Sequence, residues 1–134
     1  MNLNLSKTLL ARALAQTSKQ FGTEFTFFAR KGPDMLSKFY GDTDKNIRTL
    51  FEEARLKSPS IILFDEIDGL CPVRNHKQEQ VHNSVVTSLL AEIDGLDDRA
   101  NSKIVIIATT NRPGKTQKIL SKKRMGKFFT KDTK

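Results

Sequence analysis

The segment IILFDEID (Ile61–Asp68) decides how this chain is read. Together with Ser60 it forms a continuous apolar run, Ser60 to Phe64, that does not alternate with polar residues. A strand facing solvent on one side alternates, whereas a strand buried on both faces, as in a parallel sheet, does not. The run ends in two acids, Asp65 and Glu66. In open α/β sheets, ligands bind outside the carboxyl ends of the strands. Two carboxylates there can divide the work. Asp65 suits a Mg²⁺ ion, usually through water, because hard cations prefer oxygen ligands. Glu66 suits the orientation and polarisation of a water that attacks a γ-phosphate. The plainer reading is that both acids cap a strand ahead of a loop at Gly69.

Outward from this run, strands and helices alternate. Upstream, Ile47, Leu50, Phe51 and Ala54 are spaced by three and four, so a helix is expected from about Thr43 to Lys57, ended by Pro59. EFTFFA (Glu24–Ala29) is short and aromatic-rich and reads as a strand, with KGPD after it as a breaker. Leu9, Leu10, Ala13 and Leu14 share one face of a first helix expected from Lys7 to about Lys19. Downstream, Val81, Val85, Leu89 and Ile93 recur every fourth residue, predicting a helix from about Gln80 to Ile93. KIVIIATT (Lys103–Thr110) is a β-branched strand. The alternation points to an α/β fold with a parallel sheet. Asn111 closes the last strand at the same sheet edge as Asp65. Its amide could hold the attacking water or the γ-phosphate; alternatively it is a turn residue before Pro113.

The first helix opens with Lys7 and Thr8, the last two positions of the phosphate-binding pattern G-x-x-x-x-G-K-[ST]. The two glycine positions fall on Met1 and Ser6. Glycines let backbone N–H groups curl around phosphates, and residues with a Cβ resist the φ > 0 this needs. Lys7 and Thr8 supply a charge and a Mg²⁺-facing hydroxyl, in a cradle expected to be weak.

With 134 residues the chain suits one domain with a modest core. Its single cysteine, Cys71, excludes an internal disulfide framework and suits a reducing compartment. No stretch approaches the roughly 18 apolar residues of a membrane span, and the N-terminus shows no signal-peptide pattern. His76 and His82 are too isolated to suggest a metal site. Residues 115–134 carry eight basic side chains against Asp132 alone, so nearly all of the net charge of +8 sits there. This stretch reads as a mobile basic tail over residues 114–134, able to attract acidic partners.

Four stretches, KTLLARALA, FFARKGPDMLSKFYGDTDKNIRTLFEEAR, PSIILFDEIDGLCPVR and LLAEIDGLDD…IVIIATTNRP, together resemble the nucleotide-binding core of AAA+ ATPases. IILFDEID resembles the family's Walker B segment and ATTNR its sensor-1 segment. The stretch GLCPVRNHKQEQVHNSVVTSLLAEIDGL is similar to the bromodomain-containing group, with the valosin-containing-protein group as the nearest other candidate. The resemblance covers Lys7 to Pro113 and implies a P-loop NTPase three-layer sandwich. It implies ATP and Mg²⁺ as cofactors: Ser6, Lys7 and Thr8 at the phosphates, Thr8 and Asp65 on the metal, and Glu66 and Asn111 on the water. It further implies a pore loop at Lys38, Phe39 and Gly41, with Tyr40 where the family usually has valine, and a second central loop at Arg74, His76 and Lys77. A hexameric ring, histone or chromatin substrates and a nuclear location follow from the same resemblance.

The match departs from the family in three places. The phosphate loop lacks its glycines. The strand that precedes this loop in the family, central in its sheet, has no counterpart, so residues 1–113 are expected to form a partial core. In it EFTFFA lies at one edge, SIILF in the middle, and KIVIIATT beside the gap with an exposed apolar edge. After Pro113, ILSKKRMGKFF echoes the arginine-finger segment, with Arg124 at the first finger and Lys127 at the second, and neither a helical lid nor a bromodomain follows. Two alternatives to an ATPase stand beside it: a catalytically inactive interaction module, and a basic nucleic-acid binder acting through residues 115–134.

Overall fold

The apolar run of Ile61–Phe64 does what its composition dictates. In the computed structural model it lies within β2 (Ser60–Asp65), buried along its whole length. The structure describes residues 3–36, 43–70, 76–97, 103–112 and 114, with residues 3–8, 10, 11, 43, 76–81 and 97 described by backbone alone. β2 is the middle of a three-stranded sheet, between β1 (Thr26–Lys31) and β3 (Ile104–Ala108). Both pairings are parallel; Thr26, Ser60 and Ile104 lie side by side, as do Phe28, Ile62 and Ile106. The order places β2 centrally and β3 at an edge, as the family resemblance implies.

The pleat sends alternate side chains to opposite faces. Phe28, Ile62 and Phe64 face a layer made by α3 (Thr43–Leu56) and α4 (His76–Asp97), where Ile47, Leu50, Phe51, Ala54, Val85 and Leu89 complete the core. The rings of Phe51 and Phe64 stack at 6.3 Å between centroids. Across α3 and α4, Arg55 and Glu92 form an ion pair at 2.8 Å, and Asp44 accepts a hydrogen bond from Ser88 at 2.8 Å. Ile61 and Leu63 are buried on the other face, where α1 (Leu3–Gln20) packs against β1 and β2. Three layers result, as the α/β pattern requires. Ser60, polar yet fully buried, has its one hydroxyl proton within reach of the carbonyls of Ala54 (2.7 Å) and Lys57 (3.0 Å), so it serves the end of α3 where the strand begins.

Several boundaries differ from expectation. α1 starts at Leu3, four residues before Lys7, because no glycine or proline among residues 3–6 interrupts the helix. On its expected apolar face, Leu9 is 55% and Leu14 49% exposed. It ends at Gly22, whose φ of 81° gives the left-handed cap, with Thr23 N–H on the Ser18 carbonyl and Gly22 N–H on that of Lys19. Just beyond, the exposed carboxyl of Glu24 is held below its usual range by a hydrogen bond from Lys19 and by that ammonium's charge. The KGPD breaker ends β1, but Gly32–Leu36 then coil into a short helix, α2. α4 extends beyond the expected 80–93 at both ends. Among the described residues no helix is long and apolar enough to cross a membrane.

Candidate functional site

The chemistry converges at the carboxyl edge of the sheet. Asp65 is the last residue of β2, beside Lys31 of β1, and only 6% exposed. Glu66 follows in the left-handed region at φ 54°, which turns the chain abruptly out of the strand. A 3₁₀ turn, Ile67–Leu70, comes next, anchored by burial of Ile67 and Leu70 and by Gly69 N–H on the Glu66 carbonyl at 2.9 Å.

The end of β3 is tied to this turn through one residue, Thr109. Its N–H donates to the Phe64 carbonyl (2.9 Å), and its carbonyl accepts from Ile67 N–H (3.0 Å). Its hydroxyl accepts from Glu66 N–H (3.1 Å) and donates to Asp65 Oδ1. One step on, Asp68 Oδ1 accepts from the Thr110 hydroxyl (3.1 Å) and from Asn111 N–H (3.4 Å). Asp65, Glu66 and Asn111 are therefore brought to one edge by a lattice of short polar contacts. Sequence reasoning does not single out Thr109 or Asp68. The signal that could have found Thr109 is a hydroxyl residue directly after β3, one step beyond the Phe64–Ala108 pair and so level with Asp65.

Close packing fixes the turn from the β1 side. A Cβ on Gly32 would lie 2.3 Å from the Glu66 carbonyl oxygen, and one on Gly69 would lie 2.7 Å from Pro33 Cδ. The KGPD segment thus seats the exit of β1 directly on the turn that carries Glu66.

Ser6, Lys7 and Thr8 lie within the first turns of α1. α1 ends at Gln20, shortly before β1 begins at Thr26, and packs against β1 and β2. Within the helix, the amides of Leu3, Asn4 and Leu5 have no i→i−4 partner, whereas those from Ser6 onward are used by the helical ladder. Lys38, Phe39, Tyr40 and Gly41, Arg74, and Arg124 with Lys127 lie outside the described residues. His76 and Lys77 open α4. His82 does not stand free: Nδ1 lies 3.1 Å from the Leu70 carbonyl oxygen. Among the described residues no three His, Cys, Asp or Glu side chains group as a metal cage.

A family model, the ATPase family associated with various cellular activities (AAA), matches residues 4–133. The chain belongs to the AAA family of ATPases. The match carries on beyond Pro113, through the basic stretch. ATPase histone chaperone YTA7 of Saccharomyces cerevisiae is 51% identical over 122 residues, 91% of this chain and 9% of that protein. ATPase with bromodomain protein abo2 of Schizosaccharomyces pombe is 51% identical over 122 residues, 91% of this chain and 10% of that protein. Human ATPase family AAA domain-containing protein 2B is 54% identical over 106 residues, 79% of this chain and 7% of that protein. The chain spans about a tenth or less of the length of these curated relatives.

An AAA domain implies nucleotide binding, typically with Mg²⁺. The donor set at the sheet edge fits that ion. Asp65 offers a carboxylate whose Oδ1 is held by Thr109 while Oδ2 has no hydrogen-bond partner among the described residues. One or two carboxylates, completed by water and phosphate oxygens, is the usual provision for Mg²⁺. For the phosphates the fit rests on the α1 N-terminus and on the residue types of Lys7 and Thr8, not on a glycine loop.

Proposed function

We propose that this chain is the ATP-binding and hydrolysing part of a protein-remodelling AAA ATPase. The observation that carries the reading is the joining of Asp65 and Glu66 to the end of β3, beside Asn111, through Thr109 and Asp68. In this reading Lys7 and the hydroxyls of Ser6 and Thr8 bind the phosphates, and Thr8 and Asp65 hold Mg²⁺. When bound there, the ion would supply positive charge to the phosphoryl oxygens. Glu66 accepts a hydrogen bond from the attacking water and orients it; the Asn111 amide fixes the water's second direction. Catalysis here is positioning and electrostatics rather than covalent chemistry.

The printed names of the relatives, ATPase histone chaperone among them, support histones as the remodelled substrate and the nucleus as the location. A ring of subunits, hexameric by family likeness, belongs to the same proposal. So do the pore-loop role of Lys38, Phe39 and Gly41, the arginine-finger role of Arg124, and the division into a core over residues 1–113 and a partner-attracting basic segment over 114–134.

A second reading, an inactive AAA-like interaction module, is favoured by one observation. The backbone of Leu3–Ser6 is helical where a phosphate cradle needs a loop, and the first glycine of the chain is Gly22. Calorimetry with MgATP separates the two. The ATPase reading expects saturable binding that Lys7→Ala abolishes, with Glu66→Gln keeping binding and lowering turnover by about 10²- to 10⁴-fold. A folded chain that binds no nucleotide sinks it in favour of the second.

A further inference from the structure

We propose that Thr109 is a positioning residue, whose hydroxyl sets the Asp65 carboxylate so that Oδ2 is presented to a divalent cation. The proposal rests on the reading of Asp65 as the cation ligand. Thr109 makes two kinds of contact, and they separate cleanly. Its backbone joins β3 to β2, through Phe64 on one side and Ile67 on the other. Any residue but proline at this position would make those two bonds. The hydroxyl is not needed for strand pairing, yet it makes two further bonds, both to the residues that carry the chemistry.

The direction of those bonds is determined. A hydroxyl has one proton and two lone pairs. Glu66 N–H can only donate, so it occupies a lone pair of the Thr109 oxygen. The single proton is then available to Asp65 Oδ1. A carboxylate otherwise turns about its last torsion in a broad, two-fold well. Held at Oδ1, it keeps Oδ2 as its outward atom, and among the described residues nothing else engages it. The same hydroxyl pins the amide of Glu66, the residue held at φ 54°. One side chain thereby fixes the orientation of the cation carboxylate and the backbone from which the water-orienting carboxylate projects. Outer contacts of this kind typically change metal affinity by about 10- to 100-fold when removed.

The test uses the full chain, ¹⁵N-labelled, titrated with Mn²⁺ alone and followed by paramagnetic broadening of its amide signals. Wild type should lose the signals of Asp65, Glu66 and Thr109 first. Thr109→Ser, which keeps the hydroxyl, should behave like wild type. Thr109→Val should need about ten times more Mn²⁺ for the same broadening, and its Glu66 amide should exchange faster with solvent. Thr109→Ala, smaller at the turn, gives the same answer if the valine variant does not fold. Equal Mn²⁺ dependence in wild type and both hydroxyl-less variants overturns the proposal, as does wild-type broadening that is not centred on Asp65. Faster Glu66 exchange with unchanged Mn²⁺ dependence also overturns it, because the hydroxyl would then be a structural tie only. ATP turnover is read separately. A silent enzyme with the expected Mn²⁺ pattern removes the ATPase reading and leaves this one standing; an active enzyme indifferent to Thr109→Val and Thr109→Ala does the reverse.

Discussion

Gly32→Ala places one methyl group against the turn that carries Glu66, and its cost follows from the contacts. Gly32 is not in the left-handed region, so alanine can adopt its backbone. The cost is therefore steric. The added Cβ would sit 2.3 Å from the Glu66 carbonyl oxygen, 3.2 Å from its carbon and 3.3 Å from Ile67 Cα, all backbone atoms. An ordinary carbon–oxygen contact begins at about 3.3 Å, so one of the two segments must move by roughly 1 Å. Neither is loose. The Glu66 carbonyl accepts from Gly69 N–H, its amide donates to Thr109, and Ile67 N–H is held by the Thr109 carbonyl. Forced displacement in a packed region costs about 1–3 kcal/mol. The entropic benefit of replacing a glycine offsets about 0.5–1 kcal/mol of that. The net loss, about 1.3 kcal/mol at the middle of these ranges, lowers the folding equilibrium constant by roughly tenfold. Urea unfolding followed by circular dichroism measures it, with Gly95→Ala as the reference. Gly95 lies in α4, where an added Cβ would meet nothing within 4 Å, so alanine there should stabilise by about 0.5–1 kcal/mol. If Gly32→Ala matches or exceeds wild-type stability while Gly95→Ala behaves as stated, the close seating of Gly32 on Glu66 is wrong.

Two other substitutions probe the layers. Phe51→Ala empties a fully buried site stacked on Phe64 and should cost about 3–5 kcal/mol; a urea midpoint close to wild type would mean that α3 does not pack on the sheet as described. Val105→Lys charges the edge strand at a residue 48% exposed. It should reduce self-association in sedimentation velocity while changing stability by no more than about 0.5 kcal/mol. A loss of several kcal/mol would mean that this edge is covered in the folded chain.

The fold is legible in the sequence wherever burial dictates the pattern. Ile61–Phe64 must be enclosed on both faces, so β2 lies between helical layers, while its central place in the sheet follows the strand order of the family. The α3 stripe of Ile47, Leu50, Phe51 and Ala54 is buried as its spacing requires. The pattern misleads at α1. Leu9 and Leu14 have helical spacing but remain about half exposed. The phosphate-loop pattern sets the helix opening at Lys7-Thr8, whereas local propensity carries the helix back to Leu3. In the site, the acids and Asn111 are legible from their place at strand ends. Gly32 is not, because its role is the absence of a side chain against a distant backbone oxygen, and a sequence shows no such contact.

Thr109 is hidden for a different reason, and the register explains it. β2 and β3 pair with Ser60 beside Ile104 and Phe64 beside Ala108. Continued by one residue, that register sets Asp65 beside Thr109, and the pleat places both on the face where Ile61 and Leu63 lie. A slip of one residue would put Ala108 or Thr110 beside Asp65 and turn every β3 side chain to the opposite face. Ile104, Ile106 and Ala108 would then leave the α3–α4 layer against which they pack. The hydrophobic pattern of β3 therefore does two jobs at once. By choosing which isoleucines meet the core, it also decides which hydroxyl meets the carboxylate. The polar contact at the sheet edge is thus a geometric consequence of apolar burial several residues away: the register that buries Ile104, Ile106 and Ala108 is the one that sets Thr109 beside Asp65.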